Sequence, residues 1–206
     1  MIAPPSPARL KEAILYLPTL YADVTWRPYG LLFHDATNPD SMDANHALIL
    51  NPRCDVPQAA ADIERFYRAR CTIPTIYAGY APGERRFVLP ALWACGWRTQ
   101  FVTAQFYCRT ENVLPAFDPA IRVECPGELT AESAALLAEC GGSFTLGVTE
   151  RLLRQTGCRA YAARAADGTL AAWLTVVLFR GCGFIQDVAT LPAYRKQGLC
   201  TALVAR

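Results

Sequence analysis

The residues best suited to chemistry lie near the end of the printed sequence, between Phe184 and Arg206. Arg195, Lys196 and Gly198 follow an apolar segment and precede a helical pattern. Backbone N–H groups at the start of a helix have no partner inside it, and the helix dipole adds about half a positive charge there. Two cations and a glycine that permits close backbone approach therefore predict a phosphate or pyrophosphate site.

Other phosphate-binding motifs fit the chain less well. There is no G-x-x-x-x-G-K-[ST] segment, and Gly181-Cys182-Gly183 lacks the third glycine of the dinucleotide fingerprint and precedes a strand. Taken alone, the basic loop is also compatible with an ordinary solvated connection. The preceding strand, followed by Pro192, Tyr194 and Arg195, favours the binding site.

The same residues carry a family resemblance. Arg195–Cys200 (RKQGLC) is similar to the R-x-x-G-x-G/A signature of the GNAT superfamily of acyl-CoA N-acyltransferases. Val188–Tyr194 (VATLPAY) resembles the fourth strand of that family and its V-x-P-x-Y-R lead-in. The resemblance extends more faintly back to Ile121. Cys200 stands where the family has Gly or Ala, and we interpret it as a tolerated small residue and not as a nucleophile.

The resemblance implies a site for acetyl-CoA. Val188, Ala189 and Thr190 would line the acyl-pantetheine arm, which would bond to backbone groups of Val188 and Thr190. The pyrophosphate would be held by the loop and the start of the next helix, mainly through backbone N–H groups from Gln197 onwards. The residues implied for this part of the site are Arg195, Lys196, Gln197, Gly198, Leu199, Cys200 and Thr201.

Acyl transfer to an amine also needs a base and an acceptor pocket. Asp187, next to Val188, is the candidate base or amine-binding group, with a solvent-facing or ion-paired carboxylate as the alternative. Phe144 follows Gly141-Gly142 between two predicted helices and is the candidate acceptor contact, or else an aromatic plug beside a glycine helix terminator. The family's usual general acid has no counterpart in this sequence.

The expected function is transfer of an acetyl group from acetyl-CoA to a primary amine of a small molecule or protein. The alternative is a GNAT-like binding or scaffold module without turnover, or an inactive fragment. A GNAT domain would continue with further strands beyond Arg206, so we favour a fragment. Two alternatives stay open: the sheet is completed by a second chain, as in a homodimer, or it is completed by the first half of this chain.

Composition limits the other possibilities. Of the 206 residues, 52% are hydrophobic and 18% charged, which is enough apolar material for a core. The net charge of +2 is spread along the chain and does not imply nucleic acid, and no apolar run is long enough for a membrane span. Nine cysteines without C-x-x-C and only two histidines favour a reducing cytoplasm and no metal.

The pattern predicts an α/β fold with a GNAT-like mixed, mostly antiparallel sheet flanked by helices, in two halves. Residues 1–118 would be a degenerate GNAT-like domain and residues 119–206 the acetyl-CoA-binding domain. Predicted helices cover Ser6–Leu17, Asp55–Arg70, Arg85–Cys95, Ala131–Cys140 and Glu150–Gln155, the last capped by Thr149. Predicted strands cover Tyr29–His34, Ala47–Leu50, Thr72–Ala78, Thr99–Cys108, Ile121–Glu124, Ala160–Arg164, Leu170–Phe179 and Phe184–Thr190, the last one buried.

Overall fold

The computed structural model describes residues 7–77, 82–100, 118 and 120–206, which form two compact units. The first unit lies before residue 101 and the second from residue 118 onwards. Each contains a four-stranded sheet with helices packed against it, which confirms the predicted fold class. The predicted domain boundary at 118/119 and most of the predicted strand at 99–108 fall outside the described residues.

The sheet of the first unit has the order β1-β2-β3-β4. Neighbouring strands are antiparallel except β3 and β4, which are parallel. The sequence did not predict β1, because polar residues alternate along it without a strong apolar face. The strands are β1 (Asp23–Arg27), β2 (Gly30–His34), β3 (Ala47–Ile49) and β4 (Ile76–Tyr77).

Within the described residues, three helices and a short 3-10 turn accompany this sheet. They are α1 (Pro7–Tyr16), the turn Leu17–Leu20, α2 (Val56–Arg68) and α3 (Pro82–Ala94). The predicted start of α2 is confirmed, because the Asp55 carboxylate accepts the backbone N–H of Gln58 at 3.0 Å. The side chains of Ile63, Phe66 and Tyr67 on α2 are buried in the core of this unit.

The second unit is built on an antiparallel sheet in the order β5-β6-β7-β8. Its strands are β5 (Arg122–Glu124), β6 (Cys158–Arg164), β7 (Leu170–Phe179) and β8 (Cys182–Thr190), and its helices are α4 (Ala131–Gly141), α5 (Ser143–Leu153) and α6 (Leu199–Val204). Trp173 and Leu174 are neighbours on β7 and so face opposite sides of the sheet. Trp173 packs with α4 and α5, and Leu174 with α6, so the sheet is covered on both faces.

The last helix packs on the sheet of its own unit. Leu199 and Leu203 are buried against Ala172 and Leu174 of β7. The apolar face of α6 therefore has β6 and β7 of its own unit as partners.

Two further predictions for the second unit are wrong in part. The strand at Phe184–Thr190 is confirmed, but it is not buried: Ile185 and Val188 are 51% and 48% exposed, because β8 is an edge strand within the described residues. Thr149 does not cap a helix. It lies inside α5 and is fully buried, because α5 starts six residues earlier, directly after Gly142.

Helix α4 follows its prediction closely. Thr130 and Ser133 form a reciprocal capping box at its start, and Gly142 ends it with a φ of 81°. Among the described residues, no helix has the length and apolar character that a bilayer span requires.

Candidate functional site

Among the residues that the structure describes, no strand pairs with the outer edge of β8, which presents backbone groups to one side of the sheet. The N–H of Leu191 donates to the carbonyl oxygen of Ala171 on the β7 side at 2.9 Å. Because backbone groups alternate along an antiparallel strand, those of Val188 and Thr190 point the other way, to the open edge. The Thr190 carbonyl there accepts a hydrogen bond from Nε of Arg195 at 3.2 Å. A ligand along this edge would thus meet a row of amide groups.

The loop after β8 has an unusual backbone. A 3-10 turn at Pro192–Tyr194 leads into Lys196 and Gly198, whose φ angles of 64° and 79° are both left-handed. Gln197 between them is not left-handed. Alternating right- and left-handed residues turn successive N–H groups toward one point and form an anion nest. A left-handed lysine is strained, and such strain persists only where the surrounding structure enforces it.

The strand edge and the loop line an open cavity of about 400 Å³. All of the predicted cofactor residues except Gln197 line it, and Gln197 instead donates from Nε2 to the carbonyl of Ala193 at 3.3 Å. The lining residues are Cys140, Val188, Ala189, Thr190, Tyr194, Arg195, Lys196, Gly198, Leu199, Cys200 and Thr201. The fold therefore brings two separate sequence stretches, the strand and the loop, to one site.

Two lining residues, Cys140 and Tyr194, were not predicted as site residues. Cys140 lies in the last turn of α4 and reaches the cavity because α4 packs across β8. Burial raises the pKa of its thiol, against the opposing effects of the Arg195 charge and a backbone hydrogen bond from Thr190. Cys140 is therefore a neutral thiol at physiological pH. Only its position at the end of an amphipathic helix before Gly141-Gly142 could have indicated it.

Asp187 lies on β8, one residue before the cavity lining begins. Its Oδ2 accepts a hydrogen bond from the hydroxyl of Thr149 on α5 at 3.1 Å. Asp187 pairs with Thr175 of β7, so its side chain shares the sheet face of Trp173, which is covered by α4 and α5. Thr175 is fully buried and accepts the indole N–H of Trp173 at 2.9 Å.

Phe144 is placed in the first turn of α5 and not in a loop between two helices. Its side chain lies outside what the structure describes, so its acceptor role stays a prediction. Among the described residues, no cluster of three or more His, Cys, Asp or Glu side chains is arranged to hold a metal ion.

Comparison with known proteins identifies the family of the second unit. Residues 129–206 match the model of the acetyltransferase (GNAT) family. The match contains α4 to α6, β6 to β8 and the whole cavity. The match supports GNAT superfamily membership for this segment, which is less than half of the chain.

The fold agrees with solved structures. A GCN5-related N-acetyltransferase from Kribbella flavida superposes with a TM-score of 0.65 and 19% identity, over 98% of this chain and 79% of that one. A conserved protein of unknown function from Staphylococcus epidermidis superposes with a TM-score of 0.56 and 9% identity, over 90% of this chain and 78% of that one. At these identities the likeness is one of fold. No curated protein sequence matched the chain.

Proposed function

We propose that this chain transfers an acetyl group from acetyl-CoA to a primary amine of a small molecule or protein. The observation that carries the proposal is the cavity, because residues implied by the GNAT resemblance line it within the segment that matches the family. Acetyl-CoA supplies the acyl group as an activated thioester. The steps below concern what the residues of this chain do.

The loop after β8 binds the pyrophosphate. In the proposed nest, backbone N–H groups around the left-handed Lys196 and Gly198 turn toward the pyrophosphate, and Gly198 leaves room for phosphate oxygens to approach the main chain. Lys196 adds a positive charge at the cavity wall. Arg195 contributes charge as well, and its hydrogen bond to the carbonyl of Thr190 orients the guanidinium across the junction of strand and loop.

The open edge of β8 binds the pantetheine arm. Its amides pair with the outward backbone groups of Val188 as an added strand would, and with Thr190 once the N–H of Thr190 leaves the thiol of Cys140. Val188 lies farther from the loop than Thr190, and its N–H donates to the acyl carbonyl. These contacts use the backbone, so side-chain changes at Val188 and Thr190 affect binding less than changes in the loop.

Asp187 accepts the proton of the incoming ammonium. An amine attacks a thioester only as the free base, so a carboxylate near the acyl end promotes the reaction by taking one proton from nitrogen. The hydroxyl of Thr149, fully buried in α5, donates to Oδ2 of Asp187 and fixes the orientation of the carboxylate. The nitrogen then bonds to the acyl carbon as the carbon–sulfur bond breaks, and the departing thiolate takes the second proton of the nitrogen and leaves as the thiol.

We further propose that residues 1–118 are a degenerate GNAT-like domain. The first unit also has a sheet that begins with antiparallel strands and carries helices, and the sequence before residue 119 contains no R-x-x-G-x-G/A loop. Cofactor binding should therefore depend on the second unit.

Calorimetry with acetyl-CoA, followed by thiol release with a panel of primary amines, tests the proposal. We expect saturable binding to one site and thiol release with at least one amine. Asp187→Asn should keep acetyl-CoA affinity and lower kcat/KM by about 100-fold, because it removes the base but keeps the shape. Absence of acetyl-CoA binding by the parent chain would refute the cofactor site. Binding without thiol release from any amine would favour a binding module.

A further inference from the structure

The turn between β6 and β7 is hydrogen-bonded to the loop that follows β8. Tyr194 is the last residue of the 3-10 turn and directly precedes Arg195. Its hydroxyl lies 2.7 Å from Oδ2 of Asp167 and 3.2 Å from Oγ1 of Thr169. The carboxylate is the stronger acceptor, so the tyrosine donates its proton to Asp167.

Asp167 is itself fixed within the turn. Its Oδ1 accepts the backbone N–H of Thr169 at 2.9 Å, and Gly168 adopts a φ of 87°. That N–H, followed by the hydroxyl of Tyr194, holds the pKa of the Asp167 carboxyl below its usual range. The acceptor for Tyr194 is therefore an ionised carboxylate at neutral pH.

The turn is also tied to α4. Arg164 donates from Nη1 to the carbonyl of Gly168 and to Oε1 of Glu132, both at 3.0 Å. Glu132 lies in the first turn of α4 and accepts the backbone N–H of Leu170 at 3.0 Å. A contact with Asp167 thus connects the loop to a part of the unit that is held by several hydrogen bonds.

We propose that Asp167 and Tyr194 are positioning residues that hold the anion-binding loop in its binding conformation before the cofactor arrives. Lys196, two residues after Tyr194, has a left-handed backbone that needs support from its surroundings. A loop ordered in advance loses less conformational entropy on binding, so it binds more tightly. The inference rests on the proposed function, since the ligand of the loop is the pyrophosphate of coenzyme A.

Coenzyme A binding, measured by calorimetry, tests the hydrogen bond between Asp167 and Tyr194, which we call the tether. Tyr194→Phe and Asp167→Ala should each weaken binding about tenfold, the usual effect of losing one hydrogen bond to a charged group. Asp167 does not line the cavity, so its effect must pass through the loop. Asp167→Asn keeps an acceptor oxygen and should restore most of the affinity. The double variant should bind no more weakly than either single one, because both remove the same contact.

Tyr161→Phe is the matched control. Tyr161 lies on β6 of the same unit and outside the cavity lining, so loss of its hydroxyl should leave affinity within twofold. If the parent chain binds coenzyme A and Asp167→Ala binds equally well, the tether is wrong and the cofactor site stands. Additive losses in the double variant would also overturn it. A parent chain that does not bind coenzyme A would remove the cofactor site and the tether together.

Discussion

Two substitutions of Gly198 distinguish a loss of coenzyme A binding caused by negative charge from a loss caused by a changed backbone. Gly198 has a φ of 79°, and an added Cβ would meet only Cδ1 of Ile121, at the ordinary contact distance of 3.7 Å. Asn tolerates the left-handed region better than most residues, so Gly198→Asn should lower the free energy of unfolding by about 1 kcal/mol or less. Gly198→Asp has nearly the same shape but adds a negative charge.

The charge effect can be estimated from Coulomb's law. At about 5 Å and an effective dielectric constant of about 20, a carboxylate repels one phosphate charge by roughly 3 kcal/mol, before screening by salt. We therefore expect Gly198→Asp to bind coenzyme A about 100-fold more weakly than Gly198→Asn at moderate salt. Calorimetry of both variants, with thermal unfolding to confirm equal folding, measures the difference. Affinities within fivefold of each other would show that no phosphate approaches Gly198.

Three other predictions follow from the structure. Lys196→Ala should weaken coenzyme A binding less than Gly198→Asp does, because the backbone nest remains, and the loss should shrink as salt rises in calorimetric titrations. Burial lowers the pKa of His46 from 6.5 to about 4, so the unfolded chain takes up a proton first and stability falls as pH drops from 6.5 toward 4. In urea unfolding, the free energy of unfolding of the parent chain should fall by about 2 kcal/mol between pH 7 and pH 5, and His46→Asn should not show this loss. A ring resonance of His46 that titrates near pH 6.5 would contradict the prediction. Gly30→Ala should destabilise the first unit by about 3 kcal/mol or more in thermal unfolding, because the added Cβ would lie 1.8 Å from the carbonyl oxygen of Leu48. Gly127→Ala is the control and should not change stability, because there is open space around Gly127.

Features set by short stretches of sequence could be predicted. The start of α4 follows from Thr130 and the residues after it, and the β6–β7 hairpin follows from Ala166-Asp167-Gly168. The loop from Arg195 to Gly198 was predicted in the same way, because its glycine, its charges and the flanking strand and helix are adjacent in the chain.

Features that depend on distant neighbours could not be predicted. The exposure of β8 depends on which strands pair with it, and the apolar residues Ile185 and Val188 gave no sign of an edge. Thr149 resembled a helix cap because a Thr before Glu150 is a common cap, yet its hydroxyl donates to Asp187, which lies on the sheet face that α5 covers. Cys140 enters the site only because the end of α4 crosses β8.

Strand β8 pairs irregularly with β7, and this irregularity determines where β8 can change length. Val176 pairs with Ile185 and Thr175 pairs with Asp187, so Gln186 is an extra residue with no partner opposite it. Deleting one residue from a regular strand turns every later side chain to the other face. Deleting Gln186 would instead leave Ile185 and Asp187 on the faces they already occupy. Among the residues of β8, Gln186 is thus the position where a deletion during evolution could pass without turning the cavity-lining residues Val188 and Thr190 to the other face.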